Sequence, residues 1–239
     1  MPEQYTYLAV DFFCIIFPLI FSFFPQFNFV KEWRYFALPC LFTALFFIVW
    51  DIYFTWLGVW SFNPQFVCGV FLYGLPLEEY LFFLCIPYAC VFTYHCLALF
   101  FTFSAGRQAV FLKWIMVGVL ALTGFMFLPR LYTSVTFILL AAFLTFLSVK
   151  KVAYLPRFFF CYFLILIPFF ISNGILTGSI LGRTVVMYSR HHNLGIRMFT
   201  IPLEDAFYGM LLLLMNVSGY EYMKRRALAK ENQHVTVGK

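Results

Sequence analysis

Seven long apolar segments constrain the fold of this chain more than any other feature of its sequence. A helix that crosses a bilayer needs about 20 mostly apolar residues. Segments near that length are found at residues 5–24, 35–57, 75–101, 110–128, 132–149, 158–176 and 200–222. The chain is 64% hydrophobic and 11% charged, against about 25% charged residues in soluble domains. The sequence therefore predicts an all-α integral membrane protein with about seven transmembrane helices.

Basic residues are spread unevenly over the loops between these segments. One side of the bilayer would receive most of them: Lys31, Arg34, Arg107, Lys113, Lys150, Lys151, Arg157 and the tail from Lys224 onward. Because basic loops remain in the cytoplasm, we expect a multi-pass protein of the cell membrane with an outer N-terminus and a cytoplasmic C-terminus. The net charge of +6 then indicates contact with membrane lipid, not with nucleic acid. We expect the polar tail to be disordered beyond its first turns.

The chain also contains an internal repeat, because residues 59–84 align with residues 185–210 without a gap. Identical or similar pairs are Val59/Val185, Gly69/Gly195, Pro76/Pro202, Leu77/Leu203, Glu78/Glu204 and Glu79/Asp205. Upstream, with a small insertion, Asp51 aligns with Asn173. The similarity is concentrated on polar positions, which indicates duplication.

The alignment predicts one structural domain made of two parallel three-helix repeats. The first repeat would cover residues 1–103 and the second residues 131–223, with a linker transmembrane helix at 104–130 and a basic cytoplasmic tail at 224–239. Since the third helices of the two repeats would enter the bilayer from the same side, both acidic motifs would lie at one level of the bundle.

The two acidic motifs, PLEE at 76–79 and PLED at 202–205, admit two interpretations. Proline and an acid suit the first turn of any helix, so each motif alone could simply begin one. Ionisable groups inside a membrane span are costly, however, and are usually functional. Adjacent helix residues point about a third of a turn apart, so one acid of each pair would line a cavity while the other holds a neighbour. Crowded carboxyl groups would keep at least one proton near neutral pH.

The residues available for cavity walls are mainly Phe, Tyr, Trp, Leu and Met, which suit a long hydrocarbon better than a polar metabolite. The sequence has no G-x-G-x-x-G motif after a strand and no P-loop, so we expect neither flavin nor nucleotide. Its seven Cys show no CxxC or Cys/His spacing, so we expect no metal site.

The segments FTWLGVWSFNP, GLPLEEYLFF, NGILTGS, LGIR and TIPLEDAFYG resemble the membrane lycopene cyclase domain, in two tandem copies from about residue 5 to residue 223. The resemblance implies a non-flavin lycopene β-cyclase of carotenoid biosynthesis, an isomerase (intramolecular lyase) that needs no cofactor. Its substrate would be lycopene or a related linear carotenoid. Acid/base cyclisation of the linear ends would give the β-ionone rings of γ-carotene and β-carotene.

On this resemblance we assign expected roles to nine residues. Glu78 and Glu204 would transfer protons, with Glu79 and Asp205 as coupled partners. Asp51 and Asn173 would orient the cluster by hydrogen bonds. The outer-loop residues Asn63, Arg190 and Arg197 would border it.

Other classes fit the sequence less well. A retinal protein needs a lysine inside its last helix, and none lies between Pro202 and Met223. A polyprenyl transferase needs paired aspartate-rich motifs, which are missing. A proton-coupled transporter or a non-catalytic carotenoid- or lipid-binding protein remains the alternative. The sequence leaves open a homo-oligomer, the number of substrate ends cyclised, the ring type (β, ε or γ) and which carboxylate donates the proton.

Overall fold

The computed structural model describes residues 3–104, 106–180 and 182–237. Its helices are α1 (Thr6–Ser22), α2 (Trp33–Trp56), α3 (Leu77–Phe100), α4 (Arg107–Met126), α5 (Leu131–Val149), α6 (Leu155–Thr177) and α7 (Leu203–Val237). The first six are long and apolar enough to cross a membrane, alone or with a short preceding 3-10 turn. The structure confirms an all-α membrane protein, and the helix boundaries agree with the apolar segments to within a few residues at most ends.

The last helix differs from prediction in two ways. Its acidic and polar residues keep it outside the apolar set, although Leu211, Leu212, Leu213 and Leu214 are buried in the bundle. It also continues through the polar tail to Val237, where we expected disorder. The helix continues because that tail is rich in good helix formers such as Ala, Lys and Glu.

Helix packing follows the same pattern in both halves of the chain. Within each half the first helix packs on the third, α1 on α3 and α5 on α7. Between the halves the second helix packs on the other half's third helix, α2 on α7 and α6 on α3, while α3 touches α7. Helix α4 packs mainly on α5. These contacts fit two parallel repeats related by an axis through the centre of the bundle.

Short strands gather at one end of the bundle. They are β1 (Trp60–Phe62), β2 (Phe71–Leu72), β3 (Leu75–Pro76), β4 (Val186–Tyr188), β5 (Arg197–Met198) and β6 (Ile201–Pro202). Strand β1 pairs antiparallel with its repeat equivalent β4, with Ser61 opposite Met187. We call this end of the bundle the strand end.

Two tight hairpins at the strand end lead directly into α3 and α7, where the acidic motifs lie. Strands β2 and β3 form one hairpin, and β5 and β6 form the other. The first turns on Tyr73 and Gly74, with φ of 51° and 87°, a conformation that favours glycine in two-residue turns. Each hairpin ends in proline, and the next residue starts α3 or α7. The acids of both motifs therefore fall in the first helical turn.

Close packing of α2 on α7 depends on a missing side chain at Gly219. A Cβ added there would lie 2.5 Å from Cβ of Pro39. We expect Gly219→Ala to destabilise the protein by about 1–3 kcal/mol through overpacking, measured as a lower thermal midpoint in detergent. Gly118→Ala on α4, where a Cβ meets nothing within 4 Å, is the matched control. Equal midpoints for the two variants would contradict the close α2–α7 contact.

Candidate active site

A largely apolar cavity of about 260 Å³ lies within the bundle and ends among polar side chains near the strand end. Its walls come mainly from α3, α6 and α7, with residues such as Phe82, Ile86, Ile165, Leu212 and Leu213. The polar group at its end consists of Asp51, Glu79, Asn173 and Asp205 together with Tyr7, Trp60, Tyr132, Tyr188 and Tyr208. The structure therefore brings acids from both repeats to one chamber.

Glu79, in the first turn of α3, is held from two sides. The Tyr7 hydroxyl on α1 donates a 2.5 Å hydrogen bond to its Oε2. The carboxyl group of Asp51, which α2 supplies, lies beside that of Glu79 at the same end of the cavity. Asp51 is only 2% exposed, and its Oδ2 has no hydrogen-bond partner among the described residues. The first repeat thus contributes a pair of facing carboxyl groups.

Asp205, at the equivalent position of α7, has different neighbours. The Tyr132 hydroxyl on α5 donates to its Oδ1 at 2.6 Å, and the Tyr188 hydroxyl on β4 donates to its Oδ2 at 2.8 Å. Asn173, which aligns with Asp51, also lines the cavity. The second repeat thus contributes a single carboxyl group with a phenol on each oxygen.

The other acid of each motif binds the strand-end loops instead of the cavity. Glu78 Oε1 accepts the backbone N–H of Cys68 at 2.6 Å. Glu204 Oε1 accepts the equivalent N–H of Leu194 and the Thr133 hydroxyl, both at 2.6 Å. Both glutamates are fully buried. In each acidic pair the second acid therefore faces the cavity and the first holds a loop. We had expected the first acid, Glu78 or Glu204, to transfer the proton.

The three outer-loop residues that we expected at the border of the cluster lie elsewhere. Asn63 caps the short 3-10 helix Pro64–Phe66, where its Oδ1 accepts the N–H of Gln65 at 3.1 Å. Arg190 and Arg197 are exposed, and Arg197 donates to the carbonyl of Thr200 at 2.5 Å. None of the three lines the cavity. Removing a guanidinium from water is costly, which explains why both arginines stay at the surface.

Sequence reasoning missed the aromatic side chains of the site and one further acid. Tyr7 and Tyr132 occupy equivalent places on α1 and α5, and extending the repeat alignment to these helices would have paired them. Asp11, one turn after Tyr7, is 1% exposed, and neither of its carboxyl oxygens has a partner among the described residues. An acid in the middle of the first apolar segment was the available signal.

Comparison with known families gives a match over both halves of the chain. A family model described as lycopene cyclase matches residues 4–97 and 129–223. The first matched segment covers α1, α2 and most of α3, and the second covers α5, α6 and the first part of α7. Helix α4 lies in the interval between them. Neither the comparison with curated proteins nor the comparison with solved structures finds a significant match.

Proposed function

The chain belongs to the lycopene cyclase family, and we propose that it is a redox-neutral lycopene β-cyclase that closes β-ionone rings on the linear ends of lycopene. One observation carries this proposal: an apolar cavity ends at carboxyl groups from both repeats, Asp51, Glu79 and Asp205. Such a site can hold a hydrocarbon and transfer protons to and from it. Neither half of the chain supplies all of these groups alone.

The shape of the cavity suits one end of a linear carotenoid. Its α3 wall extends from Glu79 to Thr93, which is about 21 Å at 1.5 Å per residue. Among the described residues, those that line it include no Lys or Arg, so nothing there favours an anionic substrate. The acids lie at one end, so the substrate would insert end first, and a second ring would require a second binding event.

The proposed reaction moves protons and π electrons only. A carboxyl group adds a proton to the terminal double bond, which leaves a tertiary cation. The next double bond attacks that cation and closes the six-membered ring. A carboxylate then removes a ring proton to form the ring double bond. One proton is added and one is lost, so the product is an isomer of the substrate.

Aromatic rings surround the place where the cation would form. The ring of Trp60 lies 5.1 Å from that of Tyr132 and 6.2 Å from that of Tyr208, between centroids. An aromatic face stabilises a desolvated cation by about 0.5–2 kcal/mol per contact. The apolar walls would also keep water from capturing the cation, which would give an alcohol instead of a ring.

The two repeats and the orientation of the bundle in the membrane are also part of this proposal. We propose that residues 1–103 and 131–223 are the two repeats, that α4 is the linker, and that the strand end faces outward with a cytoplasmic C-terminus. The basic loops at the opposite end support this orientation. The acids would then lie near the outer surface of the cell membrane.

Product analysis tests the proposed function. We expect cells that accumulate lycopene to turn from red to yellow-orange when they express this chain, and chromatography to show γ-carotene and β-carotene. Purified protein in liposomes should convert lycopene without added flavin or nicotinamide, whereas the double variant Glu79→Gln/Asp205→Asn should not. Unchanged lycopene beside a substrate-dependent proton flux would favour a transporter, and ε- or γ-rings would contradict the β-specificity.

A further inference from the structure

The polar groups around the two cavity-facing acids break the symmetry of the repeats. Glu79 has Asp51 beside it, whereas Asp205 has Asn173 at the aligned position. Conversely, the Tyr188 phenol that binds Asp205 aligns with Phe62, which cannot donate a hydrogen bond to Glu79. Tyr7 and Tyr132 occupy equivalent places in the two repeats, so each cavity-facing acid accepts one phenol that the repeats have in common.

We infer that the two repeats divide the proton transfer: the Asp51–Glu79 pair donates the proton that starts ring closure, and Asp205 accepts the proton that ends it. This inference rests on the proposed cyclase function. It assigns a direction to a site that could otherwise work either way round.

Hydrogen-bond donors support the first assignment. Two carboxylates have only acceptor atoms, so facing carboxyl groups form a hydrogen bond only when one of them carries a proton. The Tyr7 hydroxyl donates to Glu79 and not to Asp51. A hydrogen bond between Asp51 and Glu79 therefore needs a proton on one of the two carboxyl groups. No Lys or Arg among the described lining residues offsets a double negative charge. The pair is therefore built to hold a proton beside the cavity.

The neighbours of Asp205 suit a proton acceptor, which must be ionised before it takes a proton. Each of its oxygens accepts a phenol hydroxyl, and hydrogen bonds donated to a carboxylate stabilise the charged form. Among the described residues Asp205 has no acid in the position that Asp51 occupies beside Glu79. A carboxylate that is ionised at the start of the reaction can take the ring proton but cannot supply the first one.

The cycle closes without another reactant. After ring closure, Asp205 holds one proton and the Asp51–Glu79 pair lacks one. Asp51, Glu79, Asp205 and Tyr208 line one cavity, so the proton can return across it or exchange with solvent. No electron donor or acceptor is involved.

Deuterium labelling separates donor from acceptor. In D2O the wild type is expected to form β-rings that carry one deuterium, at the ring carbon derived from the protonated end of the double bond. Asp205→Asn should slow ring formation by at least about 10²-fold. Its donor is intact, however, so protonation of the substrate can still occur and reverse. Unreacted lycopene recovered from this variant should therefore carry deuterium at that terminal alkene carbon.

The donor variants should behave differently. Glu79→Gln and Asp51→Asn are expected to lose ring formation to a similar degree, and the lycopene recovered from them should carry no deuterium. If Asp51 only supported the fold, folded Asp51→Asn protein would still protonate the substrate, and the recovered lycopene would carry deuterium. Protein amount and thermal midpoint in detergent are measured for each variant, so that loss of folding is recognised separately.

The outcomes distinguish this inference from the function on which it rests. Label in the Glu79→Gln sample but not in the Asp205→Asn sample would reverse the assignment, and label in neither or in both would overturn the division. In each case wild-type β-rings would leave the cyclase function standing. Unlabelled and uncyclised lycopene from folded wild type would instead refute the proposed function itself.

Discussion

Glu79→Gln is expected to slow ring formation by about 10²–10⁴-fold, the range typical for removal of a general acid or base, with wild-type amounts of protein in the membrane. The glutamine amide preserves the shape of the side chain and can still accept the Tyr7 hydroxyl. It cannot give a proton to an alkene. Turnover of lycopene in liposomes, measured by chromatography against protein amount, checks the expectation.

Its neighbour Glu78 is the matched control, because it has the same side chain in the same helical turn. Glu78 holds the backbone of Cys68 at the strand end and does not line the cavity. Glu78→Gln keeps an acceptor for the Cys68 N–H in a changed polar group, which we expect to cost about 1 kcal/mol of stability while the folded protein remains active. If a folded Glu78→Gln protein were as inactive as Glu79→Gln, the assignment of proton transfer to Glu79 and not to Glu78 would be wrong.

Sequence reasoning located the acids but could not orient them. Helix α3 is apolar on nearly every side, so its pattern does not reveal which face looks into the bundle. Glu78 and Glu79 therefore looked equivalent, and the choice between them depends on where the hairpin ends and α3 begins. The repeat alignment had the same limit, because it places Glu79 beside Asp205 in register without giving the direction of either side chain.

The helices themselves were predicted well because bilayer thickness dictates the length of an apolar segment. The aromatic partners were harder to recognise. Among the 15 Tyr of this chain, Tyr188 differs from a residue of the membrane interface through its contact with Asp205, which lies 17 residues later in the chain. Such contacts depend on tertiary packing, which local sequence does not encode.

Gly209→Phe is expected to abolish carotenoid conversion by filling the cavity beside Asp205. Gly209 lines the cavity one turn beyond Asp205, and a Cβ there would lie 3.8 Å from the Phe169 ring. Gly209→Ala adds one methyl group at ordinary contact distance and should lower turnover only several-fold. Gly209→Phe should lower it by at least about 10²-fold, since misplacement of about 1 Å already costs that much. The variant should also retain less lycopene on purification.

The first repeat shows that this substitution fits the fold. Phe83 aligns with Gly209, and it packs against Phe47 of α2 with ring centroids 6.0 Å apart. Since α2 and α6 are equivalent helices, Gly209→Phe would give the second repeat the packing that the first repeat already has. Gly118→Phe on the exposed face of α4 controls for added bulk and should keep full activity. If folded Gly209→Phe protein cyclised lycopene at the wild-type rate, the substrate would have to bind outside this cavity, because Gly209 lines it beside Asp205.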